Sequence, residues 1–456
     1  MKFRRPSWFL WQLILILIVG LPRTTTAQRP PSGGLPAGEV HLRITTSRIQ
    51  KYKIVVAPIP AEGLSITGSP ELATRIREIV IADLDYSLRF DLINRRTDDL
   101  AFISLSSAKD KVHFEGWKAT GADYLVAGSL FAIDRQPMVD IRVYDLSLKE
   151  LVFLKNYPLE VPRLRRAAHR ISDDVVLNVT GEKGVAGTRI AFIRPTSSQN
   201  SELFYIDYDG YNLAAVTADS SIAKMPAWHP DGSQLAYTSF KGDADLYLID
   251  LESHSSRPLH AVKGVDMAAN WCDRNGFLVF SSGFLGNQEI FYLPPGESKP
   301  LRLTFSHAMD TEPFWSPSGD ELAFMSTRAG NPHIFIMGAD GLNLRRLTFE
   351  SRNTTPRWRP RPYGDKIVLT SEIKGVFQIA IIDINGDNFI QLTTEGENRD
   401  PSWSPDGLHI AFVSNRRGGP GNFELFTMDW DGNLQRPLTK RFRSARAPAW
   451  SPFLEW

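Results

Sequence analysis

From residue 223 to residue 450 the apolar positions fall into short runs, each announced by a tryptophan and set off by turn residues. Trp228, Trp271, Trp315, Trp358, Trp403 and Trp450 stand 43, 44, 43, 45 and 47 residues apart, a period that marks a repeat array. After the Trp comes a turn and then an apolar strand: Leu235-Ala236-Tyr237, Leu278-Val279-Phe280, Leu322-Ala323-Phe324, Ile367-Val368-Leu369 and Ile410-Ala411-Phe412. A second strand follows as "DLYLID", "EIFYLP", "HIFIMG", "QIAIID" and "ELFTMD". A third then ends in Leu-Thr at Leu303-Thr304, Leu347-Thr348, Leu392-Thr393 and Leu438-Thr439. With the strand that runs into the next Trp, this makes four strands per unit, the content of a propeller blade.

The ends of the array predict how it closes. Residues 189–217 hold three post-Trp strands with no Trp before them, and the C-terminal "APAWSP" holds a Trp strand with nothing after it. Together they complete a sixth blade, and pairing them leaves no open sheet edge. Residues 41–180 lack the period and read as mixed strands and helices. "KIVVAPIP" (53–60) suits a buried strand. Ser69 and Pro70 open a helix that carries Leu72, Ile76, Val80, Leu84 and Leu88 on one face. "GADYLVAGSLF" and "VDIRVYD" read as paired strands with Val139, Ile141 and Val143 inward, and a last helix aligns Leu164, Ala168, Ile171 and Val175 before the Gly-rich "TGEKGVAGT". The expected fold is a small N-terminal α/β domain (41–180) followed by a six-bladed β-propeller (181–456) closed by its N- and C-terminal strands.

The first residues change the picture of where the chain works. Lys2, Arg4 and Arg5 precede an apolar run from Trp8 to Leu21, and Thr25-Thr26-Ala27 offers small residues for cleavage. This is the pattern of a secretory signal peptide over residues 1–27. A membrane anchor is the alternative, but the apolar core is short of the ~20 residues a span needs. "QRPPSGGLPAGEV", spanning 28–40, has the composition of a flexible tail. Without residues 1–27 the chain has 48 Lys and Arg against 51 Asp and Glu, a balance that disfavours nucleic acid. The single Cys272 excludes an internal disulfide.

Candidate chemistry is sparse. In Trp-Ser-Pro-Asp-Gly, Pro presets the turn and Gly takes its left-handed position, while the Asp slot holds Asp231, Ser318 or Asp406 interchangeably, so the motif reads as a turn. Asp207-Tyr208-Asp209-Gly210 and Asp429-Trp430-Asp431-Gly432 open like calcium loops, yet the Gly comes early and no Glu closes them, which favours hairpin turns. No His-Glu-x-x-His, Gly-x-Ser-x-Gly or phosphate-loop pattern occurs. No catalytic residue, metal site or cofactor is therefore predicted. What remains are residues just before each blade Trp, at the expected channel mouth: Lys224, Val265, Asp266, Asp310, Thr311, Glu312, Thr354, Arg399 and Asp400. Polar loops on a rigid scaffold suit partner capture.

The combination of leader, α/β domain and six such blades resembles the TolB family of the Tol-Pal system of Gram-negative bacteria. The most specific stretches are "TGEKGVAGTRIAF", "DYDGYN", "PAWHPDGSQLAYTSF", the "TEP" before Trp315 and the terminal "PAWSP". The resemblance implies a non-enzymatic, monomeric periplasmic adaptor. Its propeller mouth would bind the peptidoglycan-associated lipoprotein Pal, and its N-terminal part would communicate with TolA and other envelope proteins, in support of outer-membrane integrity and constriction during cell division. It also implies that Thr311 and Glu312 contribute to the Pal interface. A family histidine falls on Val265, so that contact is either absent or replaced by Asp266, and the N-terminal tail departs from the family pattern. Two other classes stay open: a propeller enzyme of the lactonase or peptidase kind, and a propeller that binds peptidoglycan directly through aromatic residues at its mouth.

Overall fold

A computed structural model of the chain describes residues 50–61, 69–93, 112–439 and 444–455; the expected leader and tail lie outside these. In chain order the first elements are β1 (Tyr52–Val56), α1 (Ser69–Tyr86), β2 (Phe90–Leu92), α2 (Phe114–Ala119), β3 (Tyr124–Ile133), β4 (Gln136–Asp145), β5 (Glu150–Pro158) and α3 (Leu164–Thr180). They form a five-stranded sheet in the order β2-β1-β3-β4-β5, with β1 parallel to both neighbours and β3 to β5 antiparallel. β1 stops at Val56, short of the expected span, because Pro58 and Pro60 have no N–H to give the ladder. α1 and α3 bury Ile76, Val80, Leu84, Ile171 and Val175 against Ile54, Val139, Ile141 and Val143. Leu88 is buried too, but in a turn beyond the helix, with φ at 59°. The opposite face is covered by Trp117 of α2, an element with no periodic signal of its own.

Six four-stranded antiparallel sheets follow. In the Trp315 blade the strands are Asp310–Trp315, Glu321–Ser326, His333–Gly338 and Arg345–Arg346, and the other blades repeat the plan. Closure is as expected: Arg446–Trp450 pairs with Arg189–Pro195, Trp450 opposite Ile190, and the ring joins there. Each Trp supplies apolar area to the gap between blades. Trp315 packs on Val279, Ile290 and Leu303, and Trp403 on Val368, Ile379 and Leu392. The turn after Trp315 is equally architectural: Gly319 has φ of 76°, and a Cβ there would meet Cys272 Sγ of the neighbouring blade at 2.8 Å. In the Trp403 blade Asp406 is buried and accepts the Leu408 N–H at 3.0 Å, which makes it a turn cap.

Leu-Thr does not end the outer strand but follows it, and the reason is visible in the hydrogen bonds. Outer strands such as Leu301–Arg302 are only two residues long, too short to satisfy the third strand. The Thr hydroxyl takes over, accepting the N–H of Ile290 (Thr304), Ile334 (Thr348) and Ile379 (Thr393) at 2.9 Å, and of Leu425 (Thr439) at 3.0 Å. Thr304 also donates to the buried Glu289. Thr304→Val is therefore expected to destabilise the fold by about 1–3 kcal/mol, because it strands a buried donor and a buried carboxylate. A denaturant melt checks this as a lowered midpoint at unchanged m.

The N-terminal domain meets the propeller through a buried polar cluster. Asp83 of α1 takes hydrogen bonds from His169 Nδ1 (2.8 Å), Ser172 Oγ (2.8 Å) and the Tyr208 hydroxyl. Asp209, beside Tyr208 in "DYDG", accepts Arg165 and lies 3.3 Å from His169 Nε2. Tyr86 stacks on His409 at 4.0 Å, and His409 Nε2 reaches the Tyr86 carbonyl at 2.8 Å. Burial alone would depress His169, but the carboxylates of Asp83 and Asp209 outweigh it and lift the imidazole to about 10. A raised histidine stabilises fully below its unfolded value near 6.5 and loses that contribution as pH climbs through the folded value. Stability should thus fall between pH 6.5 and 10, by up to about 5 kcal/mol. His169→Gln should flatten that limb in melts run across the same pH range.

Candidate functional site

The inner strand of every blade lines the central channel and carries the same irregularity. The residue three places before the blade Trp has left-handed backbone: Met225 (φ 49°), Ala268 (55°), Glu312 (57°), Thr355 (50°), Asp400 (55°) and Ala447 (46°). At each of these positions the register with the next strand slips, so the residue forms a bulge. In five blades the residue after it is proline, from Pro226 to Pro448, placed where the strand faces the channel and needs no ladder donor. These bulged residues line a channel of about 230 Å³ that reaches the Trp-Ser-Pro turns at Ser316, Pro317, Ser404 and Pro405 and brings Glu312, Arg357 and Asp400 together.

This group is held by neighbouring blades. Glu312 Oε2 accepts the Thr355 N–H at 2.6 Å, and Asp400 Oδ2 accepts the Ala447 N–H at 3.1 Å, so each carboxylate reaches the bulged residue of the following blade. Burial in the channel wall pushes both carboxyls up, the neighbouring backbone N–H and Arg357 only partly countering it. Burial likewise lowers Arg357, against the pull of Glu312 and Asp400. Two partly desolvated carboxylates thus stand in one channel with a guanidinium that pulls on both by charge while its Nη1 donates to the Pro356 carbonyl at 2.9 Å.

The structure brings only some of the sequence-predicted residues to this surface. Asp266 and Asp310 are fully buried: Asp266 holds His260 Nδ1 at 2.6 Å and Ser282, and Asp310 holds Arg328 at 2.6 Å. They anchor the loops that enter the inner strands. Thr311 is buried as well, its hydroxyl 2.9 Å from Ser281 Oγ. Glu312 and Asp400 line the channel, Thr354 is half-buried, and Arg399 stacks on Phe377 at 3.8 Å while bonding Glu397. Lys224 is exposed beside Phe240, and Val265 is exposed at the rim. Sequence reasoning missed Arg357 and Thr355, although proline two places before the Trp signals the bulge that turns them inward. It also missed Phe305 and Phe349, which are 78% and 69% exposed on the loops leading into the inner strands, and Met309 nearby. These aromatic and apolar side chains occupy the face opposite the turns that meet the N-terminal domain, because loops before the first strand and after it lie at opposite ends of a blade.

His169, Asp207 and Asp209 are near enough to share a cation, but Asp209 already carries Arg165 and Asp207 the Asn212 amide. No helix of the described residues is long and apolar enough to cross a membrane.

An α/β domain joined to a six-bladed propeller with a charged channel defines a two-domain propeller protein. Comparison with known proteins makes this specific. The pattern described as "TolB beta propeller domain" matches residues 176–454, and that described as "TolB amino-terminal domain" matches residues 40–152. The chain belongs to the TolB family. It is 32% identical over 302 residues to the Tol-Pal system protein TolB of Desulfosudis oleivorans, covering 64% of each chain. It is 31% identical over 269 residues to the Tol-Pal system protein TolB of Bordetella parapertussis, covering 58% of this chain and 59% of that one. The matches thus span less than two thirds of these relatives' own lengths. The crystal structure of TolB from Acinetobacter baumannii superposes with a TM-score of 0.72 at 25% identity, covering 89% of this chain and 97% of that chain.

Arg357 is expected to hold the channel group together. Arg357→Met should cost about 1–3 kcal/mol by leaving two carboxylates without their shared cation, and Glu312→Gln in that background should recover part of the loss. A double-mutant cycle from denaturant melts measures the coupling.

Proposed function

We propose that this protein is a non-enzymatic adaptor of the Tol-Pal system, working in the periplasm after removal of residues 1–27. Its propeller mouth binds the peptidoglycan-associated lipoprotein Pal, and its N-terminal part communicates with TolA, linking the outer membrane to the cell wall during constriction. The observation that carries the reading is the Glu312–Arg357–Asp400 group in the channel, with Phe305, Met309 and Phe349 exposed on the loops that enter the inner strands. Desolvated charge and exposed aromatic side chains are what protein-binding hot spots are built from. Family membership supports the same partner, and Glu312 stands where the family's "TEP" carries an interface residue. Thr311 acts in this reading through its buried hydroxyl, which fixes the strand beside Glu312.

Exposed phenylalanines on the mouth face keep direct peptidoglycan binding as a second reading, since apolar rings stack on sugars. The two separate in one experiment. Titration of the mature chain with the periplasmic domain of Pal should give a 1:1 complex by calorimetry, and Glu312→Lys should weaken it at least about tenfold, while soluble peptidoglycan fragments give no heat. Unchanged affinity in the variant would remove the site assignment, and saturable binding of the fragments without Pal would favour the sugar reading.

A further inference from the structure

β5 is the free edge of the N-terminal sheet. It pairs with β4 along one side, and among the described residues nothing pairs with the other. At nine residues it is long for an unprotected edge, about 30 Å at ~3.3 Å per residue. Edge strands are normally guarded by charge, proline or brevity. Here the outward positions Leu151, Val152 and Leu154 are apolar and exposed, and the strand's lysine is drawn away, its Nζ bonded to Asp174 of α3 at 2.6 Å. The open backbone and apolar strip are a template for one more strand.

The end of that template is strongly cationic. Where β5 finishes at Tyr157 and Pro158, a surface cleft of about 270 Å³ opens against Arg163, Arg166 and Arg170. Arg163 has Glu160 at 3.4 Å, whereas among the described residues neither Arg166 nor Arg170 has a carboxylate within 4 Å. An added strand running along β5 delivers one of its ends to these guanidiniums. The chain's own residues 28–49 are a poor fit, because Arg29, Arg43 and Arg48 stand against Glu39 alone and would bring like charge to the cleft. A second copy would offer only Glu150 from the far end of its own β5.

We propose that β5 and the arginine cleft together dock an extended segment of a partner protein, apolar and β-forming along the edge and acidic at the end that enters the cleft. Main-chain hydrogen bonds to the β5 edge give affinity, and the cleft fixes direction and register by charge. The site lies in the N-terminal domain and does not depend on the channel, so the Pal reading and this one fail independently.

The test uses the mature chain and a short synthetic peptide of alternating threonine and valine ending in three aspartates. Fluorescence titration should show saturable, salt-sensitive binding, and amide exchange should slow over residues 150–158. R166E/R170E should weaken binding at least about tenfold, and V152K/L154K should do so separately, with Pal binding unchanged in both. The proposal is overturned if exchange in β5 is unaffected by the peptide, or if R166E/R170E binds it as tightly as the parent. It is overturned equally if a version with proline at every second position binds as well, if only phosphatidylglycerol vesicles engage the arginines, or if sedimentation shows β5 already occupied in a dimer that V152K/L154K dissolves.

Discussion

An inner propeller strand has its sheet on one side and an open channel on the other, so half of its backbone groups lack a ladder partner. Here the neighbouring blade supplies many of them. Asn270 Oδ1 accepts the Trp315 N–H and Ser402 Oγ the Trp450 N–H, each at 2.9 Å. The Trp228 and Trp403 indoles donate back to the carbonyls of Ala449 (2.9 Å) and Arg357 (3.1 Å). Glu312 and Asp400 do the same one turn along the channel. These contacts tie blade to blade at the narrowest radius, where a small displacement would shift every rim loop. The channel charges are thus part of what joins one blade to the next.

The same constraint explains what could be read in the sequence. Blade number, strand order and ring closure were legible because one Trp per period and its turn recur, and the incomplete ends complement each other. The candidate site was legible only in part. Reading the residues before each Trp as a plain polar rim overlooks the bulge, which changes which side chains face outward. Asp310 and Thr311 point into the blade, Glu312 into the channel, and Arg357, next to its Trp, joins Glu312 although nothing about an isolated Arg-Trp pair suggests it. The interdomain cluster was hidden for another reason. Asp83, His169 and Tyr208 are 86 and 39 residues apart along the chain and meet only through packing. "DYDG" looked like a hairpin turn, which it is, but its second carboxylate also secures the domain interface.

Two faces of the propeller are used differently. The face carrying the Trp-Ser-Pro turns is committed to the N-terminal domain through Asp83, His169, Asp209 and the Tyr86–His409 stack. The other face leaves Phe305 and Phe349 in solvent on the loops that enter the inner strands.

Amide exchange on the mature chain, alone and with the periplasmic domain of Pal, measures this division directly. The account predicts that protection on binding is confined to the loops entering the inner strands, 261–265, 305–309 and 349–355, together with the channel residues they lead into. Protection limited instead to the opposite turns, such as 229–233 and 316–320, with the mouth loops unchanged, would contradict it.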